Sequence, residues 1–356
     1  MTLSRAPGDW SGRRIRRSYA RFMLLAARRG AVDVDHVLAG TSVTAADIES
    51  GGSQTIPFEA IYRLAKALPG GIASGIGLQL GDLSPTTVHG PMAIAVSASK
   101  TLGEALFTIA HLGTGPTRIM RYDFEVSAAF GDLRVTPDFD FRDIHHFLVE
   151  ANAALNARML EATIGQPVEG LEFHFPYPAP PWSDLYAQHL RGRIVFDAEA
   201  LRIRVPRAQL ALKSVASDPR ARDAALREWR READEAKVIA HADLTSLVRG
   251  RLALVGDTYP ALESIARSLG MSTRTLIRRL RDKGLRYRQL VDEARAEVAC
   301  WRLAHTDDTI EQIAADLGYA DTSNFSRTFR RWRGTAPSVY RAEASQQLRR
   351  GESDCQ

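Results

Sequence analysis

The apolar positions in the last third of the chain repeat. Leu262, Ile265, Ala266 and Leu269 stand at offsets 0, 3, 4 and 7, and Gly270 follows; about 48 residues on, Ile310, Ile313, Ala314 and Leu317 stand at the same offsets, and Gly318 follows. That spacing puts four side chains on one face of a helix. A glycine directly after the last of them stops the helix, because glycine takes the left-handed conformation at little cost. Each copy then restarts on polar residues, Ser272-Thr273-Arg274 in the first and Asp321-Thr322-Ser323-Asn324 in the second. Ser272 and Asp321 suit the cap of a new helix. The new helices carry apolar pairs at i and i+4, Leu276 with Leu280 and Phe325 with Phe329. Two short helices around a glycine turn make a helix-turn-helix, and the chain predicts two of them.

The second helix of each unit is the candidate reader of nucleic acid. With Leu276 and Leu280 facing inward, a turn of 100° per residue sends Arg274, Arg278 and Arg281 to the opposite side, beside Ser272, Thr273 and Thr275. In the second unit Thr322, Ser323, Asn324, Ser326 and Arg327 occupy the early turns, and Arg330, Arg331 and Arg333 add charge with no acid between them. Arginine donates to both acceptors of a guanine edge, asparagine pairs bidentately with adenine, and hydroxyls reach phosphates. A helical hairpin packed in a core would account for one copy; two copies in register, both arginine-faced, favour DNA. Between them Tyr287, Leu290, Val291, Ala294, Val298 and Trp301 lie at 0, 3, 4, 7, 11 and 14. They predict an amphipathic rod of roughly 17 residues, about 25 Å long. Such a rod would hold two readers about one duplex turn, ~34 Å, apart. Cys300 lies on it and is expected to be a buried structural thiol.

Before this region the texture changes. Phe58, Ile61, Tyr62 and Ala65 share one helical face, as do Ile144, Phe147, Leu148, Ala151 and Leu155. Arg118 to Val126, Leu133 to Thr136, Leu171 to Phe175, Ile194 to Phe196 and Leu201 to Val205 read as short strands bounded by Gly, Pro or Asp. Short strands with a few helices point to an α+β domain rather than a parallel sheet. The segment from Asp218 to Lys237 is dense in Arg, Glu, Asp and Ala and reads as an exposed helix. The expected architecture is therefore multi-domain: an α+β ligand-binding and dimerisation domain over 1–217, a charged helical linker over 218–240, an all-α double helix-turn-helix domain over 241–342, and a disordered tail over 343–356.

Composition narrows the field. The 356 residues are 45% hydrophobic and 25% charged, which excludes a fibrous or mainly disordered chain. No apolar run approaches the ~18 residues of a membrane span. Phe22 to Ala27 follows Arg13, Arg14, Arg16 and Arg17 in the order of a secretory signal, but it is short, Arg28 and Arg29 interrupt it, and no small-residue cleavage site follows. It reads as an amphipathic helix of a cytoplasmic protein. Of the net +5, +4 falls between His241 and Ser345, with 17 Lys and Arg against 13 Asp and Glu, so the basic partner-binding surface belongs to the last third. Gly75, Gly77 and Gly81 lack the preceding strand and the spacing of a dinucleotide fingerprint. His145 and His146 lack the i+4 ligand of a helical zinc site. No catalytic residue, metal or cofactor is expected.

The second unit resembles the AraC/XylS-type DNA-binding domain, in which two helix-turn-helix units share a linking helix. The resemblance spans about Leu244 to Arg341. It is carried by Ile310-Glu-Gln-Ile-Ala-Ala-Asp-Leu-Gly-Tyr319, by Ser323-Asn-Phe-Ser-Arg-Thr-Phe-Arg-Arg-Trp332, and by Gly334, Pro337, Tyr340 and Arg341. Arg295 on the linking helix also matches; the first unit departs from the pattern, with Ile277 where a polar base reader would stand. The N-terminal region resembles the arabinose-binding-like ligand domain of one subgroup through Leu78-Gln-Leu-Gly81, His89-Gly-Pro91, Thr101-Leu-Gly-Glu-Ala-Leu106 and the run from Leu171 through Pro206. The resemblance implies a transcriptional regulator of promoter DNA that senses a small molecule and forms a homodimer, with RNA polymerase as a further partner. For the effector, Phe107, Arg118, Tyr122 and Phe124 combine aromatic surface with a cation and would suit an amphipathic acid. Two other readings stand beside this one: a regulator whose N-terminal domain only dimerises, and a DNA-modifying enzyme built on the same module. The second needs a nucleophilic cysteine and a zinc cluster, which Cys300 and Cys355 alone do not supply.

Overall fold

In a computed structural model the chain divides into two compact units, Met1–Ala240 and His241–Gln356. The structure describes residues 10, 12–50, 55–113, 119–235, 244–245, 248, 252, 261–269 and 271–353. Arg118, Gly270 and Cys355 lie outside them.

The first unit opens on an antiparallel ribbon of β1 (Arg14–Arg16) and β2 (Thr55–Pro57), with Ile15 opposite Ile56. These three-residue strands are too short for a period-two pattern to announce them. Around the ribbon pack α1 (Arg17–Arg29), α2 (Val34–Leu38), α3 (Ala45–Ser50) and α4 (Phe58–Ala67). The Phe22 to Ala27 run lies in α1, which buries Ala20, Met23, Leu24 and Ala27. The expected face in α4 buries Phe58, Ile61 and Ala65, and Tyr62 stays half-buried.

The body of the unit is helical on one side and a sheet on the other. Its helices are α5 (Ile76–Leu83), α6 (Pro91–Ser97), α7 (Leu102–Gly113), α8 (His145–Ile164), α9 (Tyr186–His189) and α10 (Pro219–Glu235). Its strands are β3 (Met120–Val126), β4 (Phe130–Pro137), β5 (Glu172–His174), β6 (Arg193–Val195) and β7 (Leu201–Pro206), in the order β3-β4-β7-β5-β6. The pairs are antiparallel except β5 with β6. Each overlaps a segment expected to be a strand. Leu133 and Val135 of β4 stand opposite Ile203 and Leu201 of β7, and all four are buried. On the other face Arg202 and Arg204 reach Asp132 at 3.2 and 3.7 Å, and Arg204 reaches Glu172 at 2.6 Å. Alternation by two thus sends one set of side chains to the helices and the other to a charged ladder.

Gly77 and Gly81 have a packing role. A Cβ on Gly81 would lie 2.7 Å from the Ala151 carbonyl oxygen, and one on Gly77 would run into the Phe147 carbonyl. Their hydrogens let α5 press backbone to backbone on α8. His145 and His146 begin α8, where His146 lies 4.0 Å ring to ring from Tyr177, and burial lowers the basicity of both histidines.

Two domain expectations change. The charged helix of the expected linker is α10, but it is not an exposed rod: Ala225, Leu226 and Trp229 are buried, and α10 packs along α6. Those three positions form an apolar stripe that a count of charges conceals. Of the expected disordered tail over 343–356, residues 343–353 are helical, and 354–356 lie outside the described residues.

In the second unit, α11 (Leu262–Ser268) and α12 (Thr273–Asp282) form the first hairpin. α13 (Tyr287–His305) is the rod, 19 residues or about 28 Å long, and α14 (Ile310–Asp316) with α15 (Thr322–Arg333) form the second hairpin. The unit closes with α16 (Pro337–Ser353), which packs on α13 and α15. The rod's buried stripe differs from the expected one. Leu290 is buried, but the fully enclosed positions continue as Ala296, Ala299, Cys300 and Leu303, whereas Tyr287, Val291, Ala294, Val298 and Trp301 are half-buried. A helix that α14, α15 and α16 all touch is covered on more than one face, so no single stripe describes it.

Candidate nucleic-acid interface and ligand cavity

The two candidate readers are started the same way. Ser272 Oγ accepts the backbone N–H of Thr275 at 3.2 Å, and Asp321 Oδ1 accepts that of Asn324 at 2.6 Å. Each satisfies a donor that the first turn leaves unpaired. α14 carries a full capping box, with Gln312 N–H on Thr309 Oγ1 and Thr309 N–H on Gln312 Oε1. Behind the caps, Leu276 and Leu280 anchor α12, and Phe325 and Phe329 anchor α15; all four are enclosed.

The remaining faces point to solvent. On α12 Arg274, Arg278 and Arg281 are exposed, as are Ile277 and Arg279, which the sequence-derived set omitted; Thr273 and Thr275 are half-buried. The Thr275 hydroxyl lies 2.9 Å from Ser272 Oγ, so both hydroxyls take part in the cap. On α15 Ser323, Asn324, Arg327 and Arg330 are exposed, and Thr322 and Ser326 are half-buried. Among the described residues Arg274, Arg278, Arg281, Arg327 and Arg330 have no acidic partner. Arg331 differs: its Nη2 lies 3.2 Å from Asp292 of α13. Arg331 and Asn324 line a polar groove between α13 and α15, of about 620 Å³, with Arg288, Arg295 and Tyr319.

A second network fixes the frame. Arg302 of α13 holds Asp308 through Nε and Nη2 at 2.9 and 2.7 Å and reaches Asp316 of α14 at 2.7 Å, while Arg341 donates to the Asp308 carbonyl at 2.5 Å. Arg333 Nε donates to the buried thiol of Cys300 at 3.0 Å. Arg295, over the Tyr319 ring at 5.2 Å, ties the rod to the loop before α15.

The first unit contains a cavity of about 120 Å³. Its wall is mostly apolar, including Ile15, Phe22, Met23, Leu80, Met92 and Phe147, with Arg16, Tyr19, His89, Tyr122, Asn152 and Trp229 as the larger polar members. The Tyr19 hydroxyl is 2.7 Å from His89 Nδ1, and Asn152 Nδ2 donates to the Tyr122 hydroxyl at 2.6 Å. Burial raises both phenols, so they stay protonated. Burial, and then the charge of Arg16, push His89 down to about 4, which leaves its ring neutral.

Of the residues expected around an effector, Tyr122 lines this cavity. Phe107 does not, and its ring lies 3.8 Å from that of His111; nor does Phe124, which closes over Gly131. Arg16, Tyr19, His89, Asn152 and Trp229 were missed. Arg16 is one of several arginines in a basic run, and nothing in the sequence distinguishes the one that β1 turns inward. Trp229 sits among charges that read as solvent-facing.

Comparison with known proteins agrees with this layout. The N-terminal arabinose-binding domain of AraC transcription regulators matches residues 32–214, and a helix-turn-helix domain matches residues 265–343. The ornithine utilization regulator of Pseudomonas aeruginosa is 29% identical over 304 residues, covering 83% of this chain and 86% of its own. An HTH-type transcriptional regulator of Mycobacterium tuberculosis is 31% identical over 337 residues, covering 89% and 92%. The crystal structure of the transcriptional regulator CdpR from Pseudomonas aeruginosa aligns over 87% of this chain and 96% of its own, with 22% identity and a TM-score of 0.42. Over its N-terminal ligand domain and its paired helix-turn-helix units alike, the chain belongs to the AraC-type family of transcriptional regulators.

Proposed function

We propose that this regulator inserts α12 and α15 into successive stretches of the major groove of promoter DNA, and that a small molecule held in the N-terminal cavity sets its activity. The observation that carries the DNA reading is the pair of capped helices, each anchored by two apolar side chains and otherwise facing solvent with Arg274, Arg278, Arg281, Arg327 and Arg330, which have no acidic partner among the described residues. Thr273, Arg274 and Arg278, and Ser323, Asn324 and Arg327, lie in the early turns that reach base edges when a recognition helix docks. Arg281 and Arg330 lie further along, where phosphates are the natural partners. Ser272, Thr275, Thr322 and Ser326 are engaged in or flank the caps and suit phosphate contacts. Arg331 shares its charge with Asp292 and contributes least. The molecule acts as a cytoplasmic homodimer that contacts RNA polymerase at its promoter. The cavity favours an effector-responsive protein over one whose first domain only dimerises.

Gel-shift titration of the full-length protein on its own promoter region tests the interface. Arg327→Ala is expected to cost roughly 1–3 kcal/mol at one position of the site if Arg327 reads a base. Unchanged affinity would remove it from the readers.

A further inference from the structure

Three of the chain's six methionines, Met23 of α1, Met92 of α6 and Met120 of β3, stand in the wall of the N-terminal cavity. They come from separate segments, so it is the fold that gathers them. A thioether side chain is apolar, adapts its shape to an occupant and packs well on an aromatic ring. Phe22 and Phe147 add rings to the same wall, and Ile15 and Leu80 add branched apolar surface. The space, about 120 Å³, is close to the ~150 Å³ of a cavity lined by Leu, Ile and Phe that stays dry and binds benzene.

The polar side chains of the wall are already turned on protein partners. Ser84 Oγ donates to the Leu80 carbonyl at 2.6 Å. Asn152 is held at both ends, its Nδ2 donating to the Tyr122 hydroxyl at 2.6 Å and its Oδ1 accepting from Asn156 Nδ2 at 2.9 Å. Tyr19 and His89 share one hydrogen bond of 2.7 Å, whichever of the two supplies the hydrogen. Arg16 Nε, His89 Nε2 and Trp229 Nε1 find no partner, but they have almost no accessible surface and so offer an occupant nothing. Among the described residues Arg16 is the one charged member of the wall, and Glu232 takes both its Nη atoms at 2.5 and 3.2 Å. A cation or an anion placed here would meet no free counter-charge, and its own burial would go uncompensated.

We propose that the cavity takes an uncharged, hydrocarbon-rich compound built on a single aromatic ring. The ring lies among the three methionines, Phe22 and Phe147, and it is recognised by shape and burial rather than by a hydrogen bond or a counter-charge. A polar substituent small enough to remain in the cavity would have to break one of the bonds just described before it gained a partner. This rests on reading the cavity as the effector site, and it departs from the amphipathic acid that the sequence suggests through Arg118.

The test uses two pairs of ligands on the full-length protein, followed by ligand-observed NMR. Toluene is set against N-methylpyridinium, its cationic twin in shape, and nitrobenzene against benzoate, its anionic twin. Each neutral member is expected to bind at least about tenfold tighter than its charged twin, because the charge would be buried uncompensated. Two substitutions place the site. Met23→Trp fills the cavity and should abolish toluene binding. Met23→Ala lengthens it and should reverse the order of toluene and propylbenzene, so that the longer molecule binds tighter in the variant and weaker in the wild type. The smaller substitution carries the test even where the tryptophan prevents folding. A charged member that binds as tightly as its neutral twin would overturn the uncharged assignment and leave the cavity an effector site. Binding by none of the four ligands, or toluene binding that neither variant changes, would overturn both.

Discussion

Single side chains illustrate how burial rewrites chemistry. His89 is an ordinary histidine in sequence, yet enclosure and the neighbouring Arg16 lower it from 6.5 to about 4. The folded chain therefore binds no proton there at pH values where the unfolded chain does. Stability from this source is complete above about 6.5 and is lost as the pH falls toward 4. Wild type is expected to lose about 2 kcal/mol more than His89→Gln between pH 7 and pH 5. Urea unfolding of both proteins at both pH values measures it, and parallel losses would place the acid sensitivity elsewhere. Ile277 is the reverse case, an apolar residue left 49% exposed between Arg274 and Arg278. An apolar side chain on a reading helix suits the C5 methyl of thymine. Ile277→Ala should cost about 1 kcal/mol at a T-containing position. Deoxyuridine at that base should reproduce the loss in wild type and add nothing to the variant; additive losses would exclude the contact.

Among the elements, periodicity found the short capped helices and misjudged the shared one. α11, α12, α14 and α15 bury residues four apart, Ile265 and Leu269, Leu276 and Leu280, Ile313 and Leu317, and Phe325 and Phe329, so a single apolar stripe predicts them. The rod α13 serves several partners, and its half-buried and enclosed positions interleave. What holds its end is polar: Arg302 and Asp308 are 15% and 12% exposed, with Asp316 on the rim. Removing one partner of such a pair strands the other's charge. Arg302→Ala should therefore destabilise the DNA-binding unit by about 3 kcal/mol. Chemical unfolding followed by the fluorescence of Trp301 and Trp332 reports it, and a loss below 1 kcal/mol would make the network incidental. The same reasoning explains α10. Its charges were legible, but the use of Ala225, Leu226 and Trp229 against α6 was not, because three apolar residues among many charges look alike whether or not a neighbour covers them.

For the whole molecule, charge placement and fold agree on a basic C-terminal unit attached to a ligand domain. Arginines that neutralise phosphates release counterions, so affinity for promoter DNA should fall steeply with salt. Arg281→Ala or Arg330→Ala should each flatten the slope of log K against log salt by about 1 while weakening all sequences alike. Gel shifts across a salt series on specific and random duplexes decide it. A sequence-dependent loss would move that arginine from phosphate to base contact.

The order of residues alone determined the two tandem hairpins, their caps, the arginine faces and most of the sheet strands. Those features depend on neighbours within one or two turns or on alternation along a strand, and spacing records them. Tertiary structure alone decided which arginine of the basic run lines the cavity, that α10 folds back onto its own domain, and that Gly77 and Gly81 serve helix packing. Each of these depends on residues far apart in the chain, such as Arg16 and Glu232, whose meeting leaves no trace in local periodicity.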